Sequence, residues 1–335
     1  MVKRILLSLL AGVLLATAAG AGWLLIYVLE PGPPSEEPTA VVVIERGSSV
    51  TEIGHVLAEA GLLHEDWRFA VLTRLLGVAP RLPAGEFLLP TGVRPVDLIR
   101  ELAAAQPLEY TITIPEGFNL QEIASLLVPD GWIDRQRFLE IASDPAMAEA
   151  LGLGAVPTLE GYLFPDTYRL TRPPPDERQL IERLVGRALS VWERLAAEND
   201  LPADFDRHQL FTLASIVEKE AARADERPLI AGVFLNRLAR GMRLQSDPTV
   251  SYDLPNFSGI LTRSDLRTPT PYNTYVITGL PPGPICSPGE AALQSVLRPE
   301  ETDYLYFVAK NDGSHHFSKN LREHNRAVRR YQRDN

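Results

Sequence analysis

A run of 25 residues without a charge, Ile5 to Leu29, limits what this chain can fold into more than any other feature. At about 1.5 Å per helical residue it is long enough to cross a hydrocarbon core of about 30 Å. One membrane span is therefore expected. Lys3 and Arg4 precede the run, and Glu30 with Pro31, Pro33, Pro34 and Pro38 follows it. The positive-inside rule then leaves the N-terminus in the cytoplasm and places everything after the span outside. The rival is a cleaved signal peptide, for which Ala19-Gly20-Ala21 could serve as the cut. Seven more residues, Trp23 to Leu29, continue past that point, and Trp23 and Tyr27 suit an interfacial belt. The expectation is an uncleaved, single-pass anchor.

Beyond the anchor the length allows roughly two domains, at about 150 residues each. A hydrophobic content of 45% excludes a disordered chain. With 43 acidic against 33 basic residues, the net charge of -10 provides no field for phosphate backbones, so nucleic acid is excluded as a partner. The lone cysteine, Cys286, can form neither an internal disulfide nor a multi-cysteine zinc site. His315, His316 and His324 lack metal-ligand partners at useful spacing and read as structural or surface residues. No metal or cofactor is expected. Arg322, Arg326, Arg329, Arg330 and Arg333 read as one solvated helix face rather than a polyanion site.

Residues 30–39 read as a stiff, solvated, proline-rich spacer. An internal repeat follows. Strand Ala40 to Ile44 leads into Gly47, Ser49, Glu52 and an apolar-periodic helix, and 70 residues later strand Tyr110 to Ile114 leads into Gly117, Asn119 and Glu122 in the same order. A weaker copy spans Gly92 to Leu98. Ser49 and Asn119 are expected as helix N-caps, with the acid favoured in the first turn. These strand-turn-helix units resemble LysM-like carbohydrate-binding modules in shape, so residues 40–108 form a module region whose role is either glycan binding or structure. Residues 109–335 form the second region. There the spacing predicts helices over 180–199, 208–223 and 228–240, loop chemistry over 244–286, and a helix opened by a capping box at Ser287-Pro288-Gly289-Glu290. A hairpin and a basic final helix close the chain. The expected fold class is α+β.

The most informative stretch is Leu213 to Ala221. On a helix Glu218 shares its face with Phe211, Ala214, Ser215, Ala221 and Ala222, so no cation three or four residues away pairs with it. A carboxyl in a poorly solvated, unpaired place has a raised pKa, as a general acid near neutral pH requires. Glu220, by contrast, has Arg223 at i+3 and reads as an ordinary surface ion pair. Downstream, Leu244 to Val250 and Thr270 to Tyr275 are polar and aromatic. Tyr272 and Tyr275 can cover sugar faces, and the amides of Gln245 and Asn273 can pair with hydroxyl or acetamido groups.

SIVEKEA (215–221), VFLNRL (233–238), MRLQSDPTV (242–250), PYNTY (271–275), GLPPGPI (279–285) and YFVAKNDGSHHF (306–317) follow one another behind a single span. Together with GYLFPDTY (161–168) they resemble the YceG-like family of bacterial endolytic murein transglycosylases, most specifically between residues 213 and 326. The resemblance implies a catalytic core at about 205–326. Its substrate would be the β-1,4 bond between N-acetylmuramic acid and N-acetylglucosamine within nascent peptidoglycan strands, cut to leave 1,6-anhydro ends. The first glutamate of SIVEKE, Glu218, would be the catalytic residue, and Glu220 and Asp247 would support it. Gln245, Tyr272, Asn273 and Tyr275 would line the saccharide groove. Wall synthases, the penicillin-binding proteins, are the implied partners at the plasma (inner) membrane. Two other readings stay open: a muramidase-type hydrolase using Glu218 and Asp247 as a pair, and a non-catalytic wall-binding scaffold for synthases.

The span carries its own test. N-terminal sequencing of the membrane-extracted protein should find residues 1–29 retained; a sequence starting near Gly22 would establish cleavage instead.

Overall fold

A computed structural model describes residues 2–254, 257 and 259–332. The first helix, α1 (Val2–Leu29), contains an apolar stretch, Lys3–Leu29, long enough to cross a membrane, with a mean hydropathy of 2.1. The chain forms two compact units, residues 1–111 with 169–175, and residues 112–168 with 176–335.

The first unit contains strands β1 (Thr39–Ile44) and β2 (Gly85–Pro90) and helices α2 (Val50–Glu59), α3 (Arg68–Leu75) and α4 (Pro95–Ala104). The strands pair antiparallel from Thr39 with Pro90 to Ile44 with Gly85. Alternation puts Val42, Ile44, Phe87 and Leu89 in the core and leaves Val41, Val43 and Leu88 on the surface. Against the buried face pack Ile53 and Leu57 of α2, Phe69 and Leu72 of α3, and Leu98, Ile99 and Leu102 of α4. Tyr27, near the end of α1, belongs to this same core. The Arg68 guanidinium lies over the Trp23 and Tyr27 rings, at 4.6 and 4.8 Å. The proline-rich residues also touch the unit: Gly32 donates to the Val93 carbonyl, and Thr91 donates to those of Glu37 and Pro38.

The recurring strand-turn-helix pattern is visible in the backbone. Ser49 caps α2 and Asn119 caps α5 (Leu120–Leu127), each with the glutamate three residues on completing a capping box. Gly47, Gly92 and Gly117 turn the chain at positive φ, 84°, 67° and 78°, where a side chain would be strained. The strand of the second full copy, β3 (Glu109–Thr113), pairs with β4 (Thr167–Thr171), and the division between units falls within this pair.

The second unit adds α6 (Arg135–Ala142), α7 (Pro145–Ala150), α8 (Glu177–Glu198), α9 (Arg207–Glu220), α10 (Arg227–Ala239), α11 (Asp247–Tyr252), α12 (Glu290–Leu297), the antiparallel pair β5 (Tyr306–Ala309) and β6 (His315–Ser318), and α13 (Leu321–Gln332). Its centre is α9. Every residue from Leu210 to Val217 is buried, so this helix is enclosed on all sides rather than on one stripe. Phe211 stacks on Tyr162 and meets Trp192 of α8.

Three expectations change. The helix over 208–223 stops at Glu220, because Ala221 is already extended (ψ 104°). The stretch 244–286 is not all loop, since Asp247 and Pro248 start α11 with proline at a position that needs no backbone N–H. Gly289, not Ser287, is the N-cap of α12, and no side chain caps that helix. Arg333 lies outside the described residues.

Core packing and capping should separate in stability. Leu57→Ala, at a fully buried position, should destabilise the first unit by about 2–5 kcal/mol. Ser49→Ala should cost about 1 kcal/mol. Denaturant unfolding of the purified protein measures both.

Candidate active site

Asp206 opens α9 with a reciprocal cap to Gln209, and the helix carries Glu218 in its last turn. One of the Glu218 carboxylate oxygens accepts a hydrogen bond from Arg227 Nη2 at 2.8 Å. The other accepts the backbone N–H of Gly289 at 3.0 Å. Gly289 is the N-cap of α12, so the carboxylate also lies at the positive end of a helix dipole. The Glu218 side chain is 6% exposed and that of Arg227 13%. A second carboxylate, Glu116, approaches the same Arg227 nitrogen at 3.6 Å. The glycine at 289 makes room for it, since a Cβ there would collide with the Glu116 carboxyl. Lys219 points away and donates to the Gly117 carbonyl at 3.2 Å.

Glu218 and Glu220 exchange the surroundings expected from spacing. Glu218 is not unpaired; its cation comes from the next helix, which a search at i±3 and i±4 cannot see. Glu220 does not pair with Arg223. Because α9 ends at Glu220, Arg223 is not one turn along, and it binds Asp225 instead at 3.0 and 3.1 Å. Glu220 accepts a 2.5 Å bond from the Ser246 hydroxyl. Burial pushes its carboxyl up to about 7; the Ser246 bond and Arg237 oppose that rise, and Asp247 adds to it.

The segment after α10 completes the surroundings of Glu220. Gln245 has a left-handed backbone (φ 50°), uncommon for a residue with a side chain. Its N–H donates to the Thr274 carbonyl, and the next N–H, of Ser246, donates to the Thr274 hydroxyl. Asp247 accepts a 2.6 Å bond from the Tyr275 hydroxyl. Glu220, Gln245, Asp247 and Tyr275 line one cavity of about 460 Å³ with Arg237 and Tyr306. Asn273 is fully buried and uses its amide inside the loop. It donates to the Asp265 and Thr268 carbonyls and accepts from Tyr275 N–H.

Tyr272 belongs to a third cluster. Its ring lies 4.8 Å from that of Tyr252, whose hydroxyl donates to Glu160 at 3.0 Å. Glu160 is 4% exposed, accepts the Leu120 N–H as well, and has its carboxyl pushed up to about 7 by burial. The six residues expected to support Glu218 or to line the groove are thus divided: Glu220, Gln245, Asp247 and Tyr275 share a cavity, Asn273 is inside its loop, and Tyr272 stands on Tyr252.

The model of the YceG-like family matches residues 42–330. The chain belongs to the YceG-like family. An endolytic murein transglycosylase of Bacillus subtilis is 33% identical over 318 residues, covering 91% of this chain and 88% of that protein. One of Streptococcus pneumoniae is 32% identical over 98% of this chain, which spans 65% of that longer protein. A crystal structure of a yceG-like protein from Listeria monocytogenes, 31% identical, superposes with a TM-score of 0.58 and covers 86% of this chain and 98% of that one.

Glu116, Arg227, Gly289, Glu160 and Tyr252 were not singled out from the sequence. One signal was present. Arg227 sits in the first turn of a helix, where the dipole disfavours a cation, so it needs a carboxylate from elsewhere. Glu116 and Glu160 each precede a positive-φ glycine, Gly117 and Gly161. That marks turns and says nothing of what the turns face.

Glu160 sets a pH dependence. Its folded-state pKa lies above the ordinary 4.5, so its contribution to stability is complete below about 4.5 and is lost as pH rises through about 7. Glu160→Gln keeps an acceptor and removes the ionisation. The fall in melting temperature between pH 5 and pH 8 should be smaller in the variant; parallel curves would contradict the assignment.

Proposed function

We propose that this protein is a membrane-anchored endolytic murein transglycosylase with Glu218 as its acid and base. The observation that carries the reading is the setting of Glu218: a nearly buried carboxyl in the family's SIVEKE segment, with one oxygen on Arg227 and the other on the N–H at the start of α12. The relatives named for that activity span most of the chain and support it.

Protonated Glu218 gives its proton to the glycosidic oxygen as an oxocarbenium-like centre develops on the muramyl ring. The carboxylate so formed is the species that Arg227 and the Gly289 N–H stabilise, which lowers the energy of the state after transfer. That carboxylate then takes the proton of the ring's own C6 hydroxyl as its oxygen attacks C1. The C1–O bond to the leaving sugar breaks, a C1–O6 bond forms, the proton returns to Glu218, and no water is consumed. The product end is 1,6-anhydromuramic acid. Glu220, Asp247, Gln245 and Tyr275 around their cavity, and Tyr272 on Tyr252, serve to hold glycan.

The reading extends to placement. α1 is the anchor, with the N-terminus in the cytoplasm and both units outside. The strand-turn-helix region is a LysM-like glycan contact, supported by the repeated capped turns at Ser49 and Asn119. Held at the membrane, the enzyme would meet nascent strands beside the synthases that extend them and would limit their length.

Glu218→Gln keeps shape and removes the proton donor, so turnover should fall by about two to four powers of ten. Mass spectrometry of digests should find 1,6-anhydro ends with the wild-type protein. Reducing muramic ends would select the hydrolase instead, and unchanged cleavage by folded Glu218→Gln would remove Glu218 from the chemistry.

A further inference from the structure

Resting on the reading of α1 as an uncleaved anchor, the outer edge of the bilayer can be placed along the chain. Counted from Ile5, the run of about 20 residues that crosses a hydrocarbon core of about 30 Å ends near Leu24. The outer boundary of the hydrocarbon therefore falls beside Trp23. One helical turn further on, Tyr27 is 3% exposed and already inside the core of the first unit. The folded unit thus begins within a turn of where the hydrocarbon ends.

At that depth Trp23 meets a second tryptophan. The ring of Trp67, just before α3, lies 4.9 Å from the Trp23 ring at an interplanar angle of 38°. Arg68 holds the pair in place: its guanidinium lies over the Trp23 ring, and its Nη1 donates to the Trp23 carbonyl at 3.1 Å. Trp67 is nevertheless 66% exposed. Single apolar side chains on a surface are ordinary. A large aromatic ring fixed beside the mouth of a membrane span is not, because the layer between water and hydrocarbon suits an apolar ring with one polar edge.

We infer that Trp67 seats the first unit on the outer leaflet: its ring enters the boundary between headgroups and acyl chains beside Trp23, so the unit touches phospholipid at a second point besides the span. Continuity with α1 favours lipid as the occupant. Trp23, Leu25, Ile26 and Leu29 are themselves exposed, so the apolar surface of the span runs directly into the Trp67 ring. The surface then turns charged within two residues. His64 and Glu65 are exposed, and Glu65 meets His55 Nδ1 at 3.0 Å. Behind Trp67, a cleft of about 480 Å³ is lined by Trp23, His55, Glu65, Asp66 and Arg68. Charge is costly in hydrocarbon and at home among headgroups, so this edge fixes how deep the ring can go. The consequence is orientation. A lone span tilts and rotates in a bilayer, and an interfacial ring to one side of its axis selects one rotation.

The experiment is tryptophan quenching of the full-length protein in vesicles of phosphatidylcholine and phosphatidylglycerol, with and without bromine near the headgroup end of the acyl chains. Of the four tryptophans, Trp132 and Trp192 are buried in the second unit, and the double variant Trp23→Phe with Trp67→Phe measures their background. Trp23→Phe then reports Trp67. Bromination should remove roughly a third of its emission, one ring of the three it keeps, while the double variant loses little. Equal quenching of Trp23→Phe and the double variant would mean that Trp67 lies in water or is left for a protein partner, and overturns the proposal. Trp67→Phe reports Trp23 in the same way and separates the two levels. If Trp23 is quenched and Trp67 is not, the anchor stands and the seating alone fails; if neither ring is quenched, the anchor fails and the seating with it. Should Trp23→Phe not fold, the comparison of wild type with Trp67→Phe decides: lipid quenching should drop when Trp67 is replaced, and no drop overturns the seating.

Discussion

A single guanidinium organises the centre of the second unit. Arg227 stands at the start of α10, against the helix dipole, and is held there by carboxylates from two other segments: Glu218 at the end of α9 and Glu116 on the turn before α5. Removing one partner of a buried pair generally costs about 3–5 kcal/mol, because the other charge is left uncompensated. The cluster is thus a fastening between segments far apart in the chain. It also favours glycine at the start of α12, where no side chain caps the helix and the Glu218 carboxylate accepts the Gly289 N–H.

Around that centre the unit tolerates two carboxyls with no cation in direct contact among the described residues. Glu220 is met by a serine hydroxyl, and Glu160 by a tyrosine hydroxyl and a backbone N–H. Neutral donors do not offset the loss of water around a charge, so both carboxyls are pushed up to about 7. Both also brace nearby aromatic residues or their loop: Ser246 is pinned to Thr274 next to Tyr275, and Tyr252 carries Tyr272. The unit trades some stability at neutral pH for carboxyls that stay close to titration.

The first unit solves a different problem, that of joining an apolar helix to a water-soluble fold. Tyr27 enters its core while Arg68 covers Trp23 and Tyr27, so the last turns of α1 are bound to the unit by packing and by cation–π contact. The hydrogen bond from Gly32 to Val93, and those that the Glu37 and Pro38 carbonyls accept from Thr91, continue that attachment up to β1. A chain segment that composition alone describes as a wet spacer is thereby partly committed to the fold.

Local signals were readable wherever the cause is local. The apolar run, the capped turns at Ser49 and Asn119, the glycine turns and the enclosed helix around Glu218 all follow from period, cap chemistry and backbone freedom within about ten residues. The mistaken surroundings of Glu218 and Glu220 have one source. Spacing along a helix describes only that helix, whereas Arg227 and Glu116 arrive from segments 9 and 102 residues away in the chain. A carboxyl's solvation and charge partners are sums over everything packed against it. The sequence by itself therefore determined the anchor, the capped turns and the longer helices, though not α11, and which glutamate to suspect. Only the tertiary structure decided which glutamate is paired, which is kept near titration, and that a third, Glu116, shares the arginine.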